Sequence, residues 1–346
     1  MISASFYDLA TSIRFCANST AMSGDPNTKT GREVYCLEQV LRQPAWKAHV
    51  DGRPLNLIDL GSGSGQKALR ILESAASDLV RPIGYFPVDA SHYCAAFAIL
   101  TVLNAYRGLT HDALRGLFSK SPDFPGGVWP RPLDSDLHKL AVRMVNHQPG
   151  VSTVVHEHLK VPSRGLSADF IADVSDVVRT VRTSPAYADG ASVYALLGQT
   201  LGNNTPADRQ RFLIQLRATM SEFDVLLIDA GLRPEDGDTA HLDERRRNLE
   251  AAYRREAWSF MRHKADDGSA RFRVAYKPCL RRIDHWFERC DGSAQNLGCS
   301  NFFARSEVMS MLEGAGYRVI DTVSSLEETG LRPGPECMVV MARKAL

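Results

Sequence analysis

The alternation of apolar and polar positions changes period across Leu55 to Leu72, LNLIDLGSGSGQKALRIL. Leu55, Leu57, Ile58 and Leu60 form a short apolar run, and three glycines follow at alternate positions. Ala68, Leu69, Ile71 and Leu72 then recur at helical spacing. A strand, a glycine turn and a helix are predicted. Further apolar runs bounded by turn residues predict strands at Ile83 to Val88, Val151 to His156, Val193 to Leu197, 224–232, 317–320 and 337–345. Helical spacing predicts helices around Tyr35 to Leu41, over 91–109, over Leu137 to Val145, from Thr205-Pro206 onward, within the charged stretch 233–268, and over Ser306 to Ala315 with Ser306 as its cap. Residues 18–33 and 119–136 are rich in polar and turn-forming types and predict loops. Residues 271–290 alternate as one or two strands.

Strands alternating with helices predict an α/β fold of the Rossmann-like kind. Residues 233–300 are long for a connection within one sheet, which predicts an inserted subdomain. The expected division is an N-terminal helical cap at 1–45, a nucleotide-binding domain at 46–232 and 301–346, and a substrate-binding insertion at 233–300.

Composition narrows the class of function. The 346 residues are 44% hydrophobic and 23% charged, with a net charge of +1. That length supports a sizeable core, and the charge balance gives no reason to expect nucleic acid or an anionic membrane as the partner. Seven scattered cysteines without a CxxC pair predict reduced thiols. No apolar run approaches the roughly 20 residues of a membrane helix, and the first residues lack a signal-peptide pattern. A cytoplasmic enzyme acting on a small molecule, with no obligate protein partner, is expected.

The glycines carry the first candidate chemistry. A dinucleotide fingerprint would need glycine at position 66, which is Gln66. Asp59-x-Gly61-x-Gly63-x-Gly65 instead has the acidic, alternating form common in sites for S-adenosylmethionine (SAM). Asp89 closes the second predicted strand, where an acid accepts hydrogen bonds from ribose hydroxyls, although it also suits a helix N-cap. Asp169 and Phe170 form an acid–aromatic pair suited to an adenine amine and ring face, or Asp169 caps the next helix. Gly198 to Asn204 follows the fourth strand, on the side where open α/β sheets present ligands. Asn203 or Asn204 can meet a polar substrate group there, and asparagine is equally an ordinary loop residue. His156-Glu157-His158 lacks HExxH spacing and a third ligand, so no metal is expected.

Together DLGSGSGQKALRIL, YFPVDAS, SADF, LLGQTLGNNTPADRQRFLIQLR, LEAAY and NFFARSEVMSMLEGAGYRV resemble the histidine-specific SAM-dependent methyltransferase family, over roughly residues 28–346. The family includes the ergothioneine-pathway histidine N-methyltransferase. The resemblance implies a class I methyltransferase domain in which Gly61, Ser62, Gly63, Lys67 and Asp89 bind SAM, with Lys67 on the methionine carboxylate. It implies that Asp169 and Phe170 frame the adenine. It also implies that Asn203 holds the amino-acid head of the substrate, that Tyr253 binds its carboxylate, and that Ser300 remains of the motif gripping an imidazole. Asn203 and Tyr253 are thereby the residues expected to orient the reacting amine.

Two departures bear on the substrate. The family's tyrosine-rich N-terminal motif is replaced by DPNTKTGRE, and its glutamate near the end is absent from Gly298 to Phe303. An imidazole N–H buried without an acceptor costs about 1–3 kcal/mol, so an amine other than histidine is expected. The alternatives are transfer of the aminocarboxypropyl arm or cyclisation of SAM, either releasing methylthioadenosine, and a SAM-binding protein without turnover.

Overall fold

A computed structural model describes residues 9–50, 54–76, 83–107, 165–184, 187, 190–237, 239–261, 270–327, 330–331 and 334–345. Three helices come first, α1 (Leu9–Met22), α2 (Lys29–Arg42) and α3 (Pro44–Val50). A parallel core follows: β1 (Leu55–Leu60), α4 (Gln66–Ala76), β2 (Ile83–Asp89), α5 (His92–Arg107), β3 (Leu166–Ser167), α6 (Val174–Arg182), β4 (Ala191–Leu196), α7 (Pro206–Thr219) and β5 (Val225–Gly231). Next come the long helix α8 (Leu242–Met261) and strands β6 (Ala270–Lys277), β7 (Arg282–Arg289) and β8 (Ala294–Asn301). The described chain closes with α9 (Arg305–Gly314), β9 (Tyr317–Ser324) and β10 (Cys337–Lys344).

Seven strands form one sheet in the order β3-β2-β1-β4-β5-β10-β9. The pairs β1–β2, β1–β4 and β4–β5 are parallel, while β10 runs antiparallel to β5 and β9. Every residue of β1, β4 and β5 is buried. Strands covered on both faces read as continuous apolar runs, and this is why they are plain in the sequence. One face packs on α6, α7 and α9 through Val177, Val181, Phe212, Leu216 and Leu312. The other packs on α2, α4 and α5 through Leu37, Val40, Ile71, Leu72 and Ile99. Strand order reverses between β1 and β4, and such a switch point opens a crevice at the carboxyl ends of the strands. This is the Rossmann-like class I methyltransferase architecture.

The antiparallel strands β6-β7-β8 form a separate sheet. Its inner face sets Val274, Tyr276 and Ile283 against Leu249 and Tyr253 of α8 and against Phe302.

Two local expectations need correction. Residues 18–33 are not a single loop: 18–22 end α1 and 29–33 begin α2, leaving only 23–28 as turn. Thr28 caps α2, its Oγ1 accepting from Gly31 N at 3.0 Å. The cap of α9 is Ala304 rather than Ser306, because Glu307 reaches back to accept from Ala304 N at 2.8 Å. The strand that pairs with β2 is Leu166–Ser167. The strand expected at Val151 to His156, the helix at Leu137 to Val145 and His156-Glu157-His158 lie outside the described residues.

Candidate active site

The carboxyl ends of β1, β2, β4 and β5 share one edge of the sheet, and the expected cofactor residues gather there. The turn after β1 is tied to β2: Gly61 N and Ser62 N both donate to Val88 O, at 2.7 and 3.1 Å. Gly65 has φ +74°, and a Cβ there would stand 2.7 Å from the Ala98 backbone. Only glycine lets α5 pack so closely beneath the loop.

Asp89 accepts from Gly63 N at 3.0 Å through Oδ2 and from Ser91 N at 2.9 Å through Oδ1. Each oxygen keeps a lone pair, enough for two ribose hydroxyls. Burial pushes the carboxyl up to about 6, although the two backbone N–H groups oppose it. Its neighbour Asp59, buried in β1 beside Tyr85 and Asp89, is pushed up further, to about 7. If Asp89 is the ribose acid, it accepts two hydroxyls fully only when ionised. Affinity for S-adenosylhomocysteine is therefore expected to fall about tenfold from pH 7.5 to pH 5. Titration calorimetry checks this, and Asp89→Asn should flatten the dependence; an equally steep profile in the variant would assign it to another group.

Phe170 and the loop after β4 meet the glycine turn from the other side. A Cβ at Gly61 would lie 3.0 Å from Thr200 Oγ1 and 3.4 Å from Phe170 Cζ. Phe170 is buried edge-on against Phe212. Asp169 is exposed, and its Oδ1 accepts from Ala172 N at 3.3 Å. It does not cap α6, since that place is taken by Asp173. Helix α1 packs on the outside of the loop, with Ser19 Oγ 3.0 Å from Ser64 Oγ and Phe15 facing Gly63.

Lys67 lies in a buried ionic group that no local sequence pattern announces. Its Nζ is 2.5 Å from Glu33 Oε2 of α2 and 3.5 Å from Asp229 Oδ2 of β5. Glu33 also holds Lys29, at 2.9 Å. Burial alone would raise Glu33, but the two lysines outweigh it and hold the carboxyl at about 2. Burial likewise would lower Lys67, and the two acids raise it. Asp229 in turn fixes the β4 loop, accepting from Gly198 N at 2.7 Å and Gln199 N at 2.6 Å. That clamp holds Gln199 at φ 56°, an unusual conformation for a residue with a side chain.

The expected substrate-side residues converge one step further along the loop. Asn203 Oδ1 accepts from Ser300 Oγ of β8 at 3.2 Å. The small sheet is stitched to the loop here: Asn301 Nδ2 donates to Gly202 O at 2.6 Å, and a Cβ on Gly202 would meet Asn301 O at 2.7 Å. Asn204 turns inward and donates to Thr200 O at 2.9 Å, so of the two asparagines Asn203 is the one bonded towards the small sheet. Tyr253 is buried against Phe302 and His285, and its hydroxyl donates to Gln199 Oε1. Lys29 Nζ stands 5.4 Å over the Tyr253 ring.

The residues fit SAM. The buried Ser62 hydroxyl has no partner among the described residues. Lys67 is a cation that could meet a methionine carboxylate, and Asp89 has lone pairs that could accept from ribose hydroxyls. Gln199, Glu33, Lys29, Asp229 and His285 were missed by sequence reasoning. Only Gln199, inside the LGQTLGNN string, carried any local signal.

No described helix is long and apolar enough to cross a membrane. Comparison with curated proteins finds no match. Among solved structures, the CcbJ methyltransferase from Streptomyces caelestis is 11% identical, with 91% of this chain and 89% of that one covered and a TM-score of 0.37. A SAM-dependent methyltransferase from Clostridium acetobutylicum is 9% identical, with 96% and 100% covered and a TM-score of 0.41. The 1,6-didemethyltoxoflavin-N1-methyltransferase of Burkholderia thailandensis is 13% identical, with 96% and 88% covered and a TM-score of 0.35. Likenesses this remote carry no functional argument. The model of the family described as histidine-specific, SAM-dependent methyltransferase matches residues 148–265, which hold Asp169, Phe170, Asn203 and Tyr253. That stretch contains LLGQTLGNNTPADRQRFLIQLR, one of the strings that carry the family resemblance, and the chain is a SAM-dependent methyltransferase.

Proposed function

We propose that the enzyme methylates the amine of an amino acid or amino-acid-like small molecule other than histidine. The observation that carries this reading is the short path from cofactor loop to substrate loop. Thr200 touches the Gly61 turn, and Asn203, three residues on, is bonded to Ser300 of the small sheet. In this reading residues 233–300 form the substrate-binding subdomain and residues 1–45 cap the cofactor loop.

SAM supplies a methyl group already activated as a sulfonium, so the protein's work is alignment and exclusion of water. Lys67, Ser62, Asp89 and the Asp169-Phe170 pair hold the cofactor. With Asn203 Oδ1 committed to Ser300, the amide Nδ2 is left to donate, which suits a carboxylate oxygen of the substrate head. Tyr253 serves the same carboxylate by turning its hydroxyl from Gln199. The attacking amine must be neutral to offer a lone pair, and enclosure among Tyr253, Phe302 and Phe272 favours loss of its proton. The stretch Gly298 to Phe303 has no carboxylate to accept from an imidazole N–H.

Incubation with labelled SAM and pooled amino acids tests the reading. Release of S-adenosylhomocysteine with a methylated amino acid, and poor use of histidine, is expected. Release of methylthioadenosine would establish aminocarboxypropyl transfer or cyclisation instead, and tight binding without consumption would establish a non-catalytic protein.

A further inference from the structure

His285 is not part of any motif used so far, yet it ends the hydrogen-bond chain that begins at Asn203. Its Nε2 lies 3.2 Å from Ser300 Oγ. Ser300 has one hydroxyl proton, and this is donated to Asn203 Oδ1. Ser300 can therefore only accept from the ring, which places the imidazole proton on Nε2 and leaves a lone pair on Nδ1. His285 is 5% exposed, and Nδ1 has no partner among the described residues. A buried acceptor without a partner is a cost that native structures seldom carry without reason.

The surroundings suit a ligand group at this point. The His285 ring lies between Tyr253 and Phe272, with centroids at 6.0 and 6.2 Å. Opposite it on β8 stands Gly298, which has no side chain to fill the space. The ionisable groups around it are Lys29 on α2, Tyr253 on α8 and Asp284 on its own strand. Burial, then Lys29, lowers the imidazole to about 4 against the smaller pull of Asp284, so the ring is neutral at physiological pH.

We infer that His285 Nδ1 is a specificity-determining acceptor for the substrate's distal group, and that this group is a neutral hydroxyl or carboxamide donor rather than the imidazole for which the stretch Gly298 to Phe303 lacks a carboxylate. The inference rests on the amino-acid reading above. An apolar side chain would leave Nδ1 unpaired, and a cationic one would add a second positive charge on the side of the ring where Lys29 outweighs Asp284. A site built to bond a donor rejects the analogue lacking it by much more than it rejects a change of size.

Two measurements decide it, and the first needs no substrate. In the 15N-histidine NMR spectrum of the full chain with S-adenosylhomocysteine, the signal lost in His285→Gln should show the Nε2–H tautomer, unprotonated from pH 5.5 to 8.5. An Nδ1–H tautomer, or protonation near the ordinary histidine range, overturns the inference. The second measurement uses isosteric amino-acid pairs, tyrosine with phenylalanine and glutamine with methionine, with lysine alongside. The wild type should favour the donor-bearing member at least about tenfold in kcat/KM and neglect lysine. The preference should persist in His285→Gln, which keeps an acceptor, and vanish in His285→Leu. S-adenosylhomocysteine binding checks that each variant is folded. Equal use of both members, use of neither, or a preference unchanged in His285→Leu overturns the inference. Failure of the amino-acid reading is read separately, from the SAM by-product.

Discussion

Lys67→Met is expected to cost more stability than any other single change at this site. Glu33 and Asp229 are buried acids that share the Lys67 ammonium at 2.5 and 3.5 Å. Removing one partner of a buried ionic group leaves charge uncompensated, at about 3–5 kcal/mol. The apparent Tm should fall by roughly 4–7 °C. The pH dependence follows from Glu33, which burial raises but Lys29 and Lys67 hold at about 2. A carboxyl depressed in the folded state contributes stability above its unfolded pKa and loses it as pH falls towards the folded value. The gap between wild type and variant should therefore be widest above about pH 5 and close towards about pH 2. Asp229→Asn combined with Lys67→Met should recover much of the stability, since Asp229 is the acid left without a cation while Glu33 keeps Lys29. It should not recover cofactor affinity. If Lys67 also meets the methionine carboxylate, both variants bind SAM about tenfold to a hundredfold more weakly, as loss of a bond to a charged group implies. Normal SAM affinity in the stabilised double variant would make Lys67 purely structural.

This ionic group also explains what was legible in the sequence and what was not. The strand, glycine turn and helix around residue 61 could be read because their signals are local: a period change, and glycines where α5 comes close. The place of Asp89 beside the glycine turn could be read because it ends β2. Glu33 and Asp229 are 34 and 162 residues from Lys67, and nothing local links them. The conformation of Gln199 is imposed by Asp229 from the neighbouring strand, so propensity could not reveal it. Helix α1 was misread in part because its end, Asn18 to Met22, is rich in types that favour caps and turns. It is held by packing on the cofactor loop through Phe15, Cys16 and Ser19. Strand β3 has two residues, too few to show alternation. His285 read as one position of an alternating strand, and its place beside Ser300 follows from the antiparallel pairing of β7 with β8.

Asn203→Ala should separate the cofactor half of the site from the substrate half. Asn203 does not touch the glycine loop; Thr200, at the start of the same turn, makes that contact. S-adenosylhomocysteine affinity should therefore stay within about twofold, since residues without shared contacts act nearly independently. The substrate loses the Nδ2 donor to its carboxylate, a bond to a charged group of about 1.5–3 kcal/mol, so KM should rise about tenfold to a hundredfold. Truncation also removes the acceptor of the Ser300 hydroxyl. Ser300 is then free to donate to His285 Nε2, which would drive the ring to the opposite tautomer and remove the acceptor at Nδ1. The variant should thus lose discrimination between tyrosine and phenylalanine as well as affinity for both. Asn203→Asp separates the two effects: it keeps an acceptor for Ser300, so the tautomer and discrimination should survive, while repulsion of the substrate carboxylate depresses kcat/KM at least as far as alanine does. Normal turnover by Asn203→Ala, or an equal loss of cofactor affinity, would remove Asn203 from the substrate site.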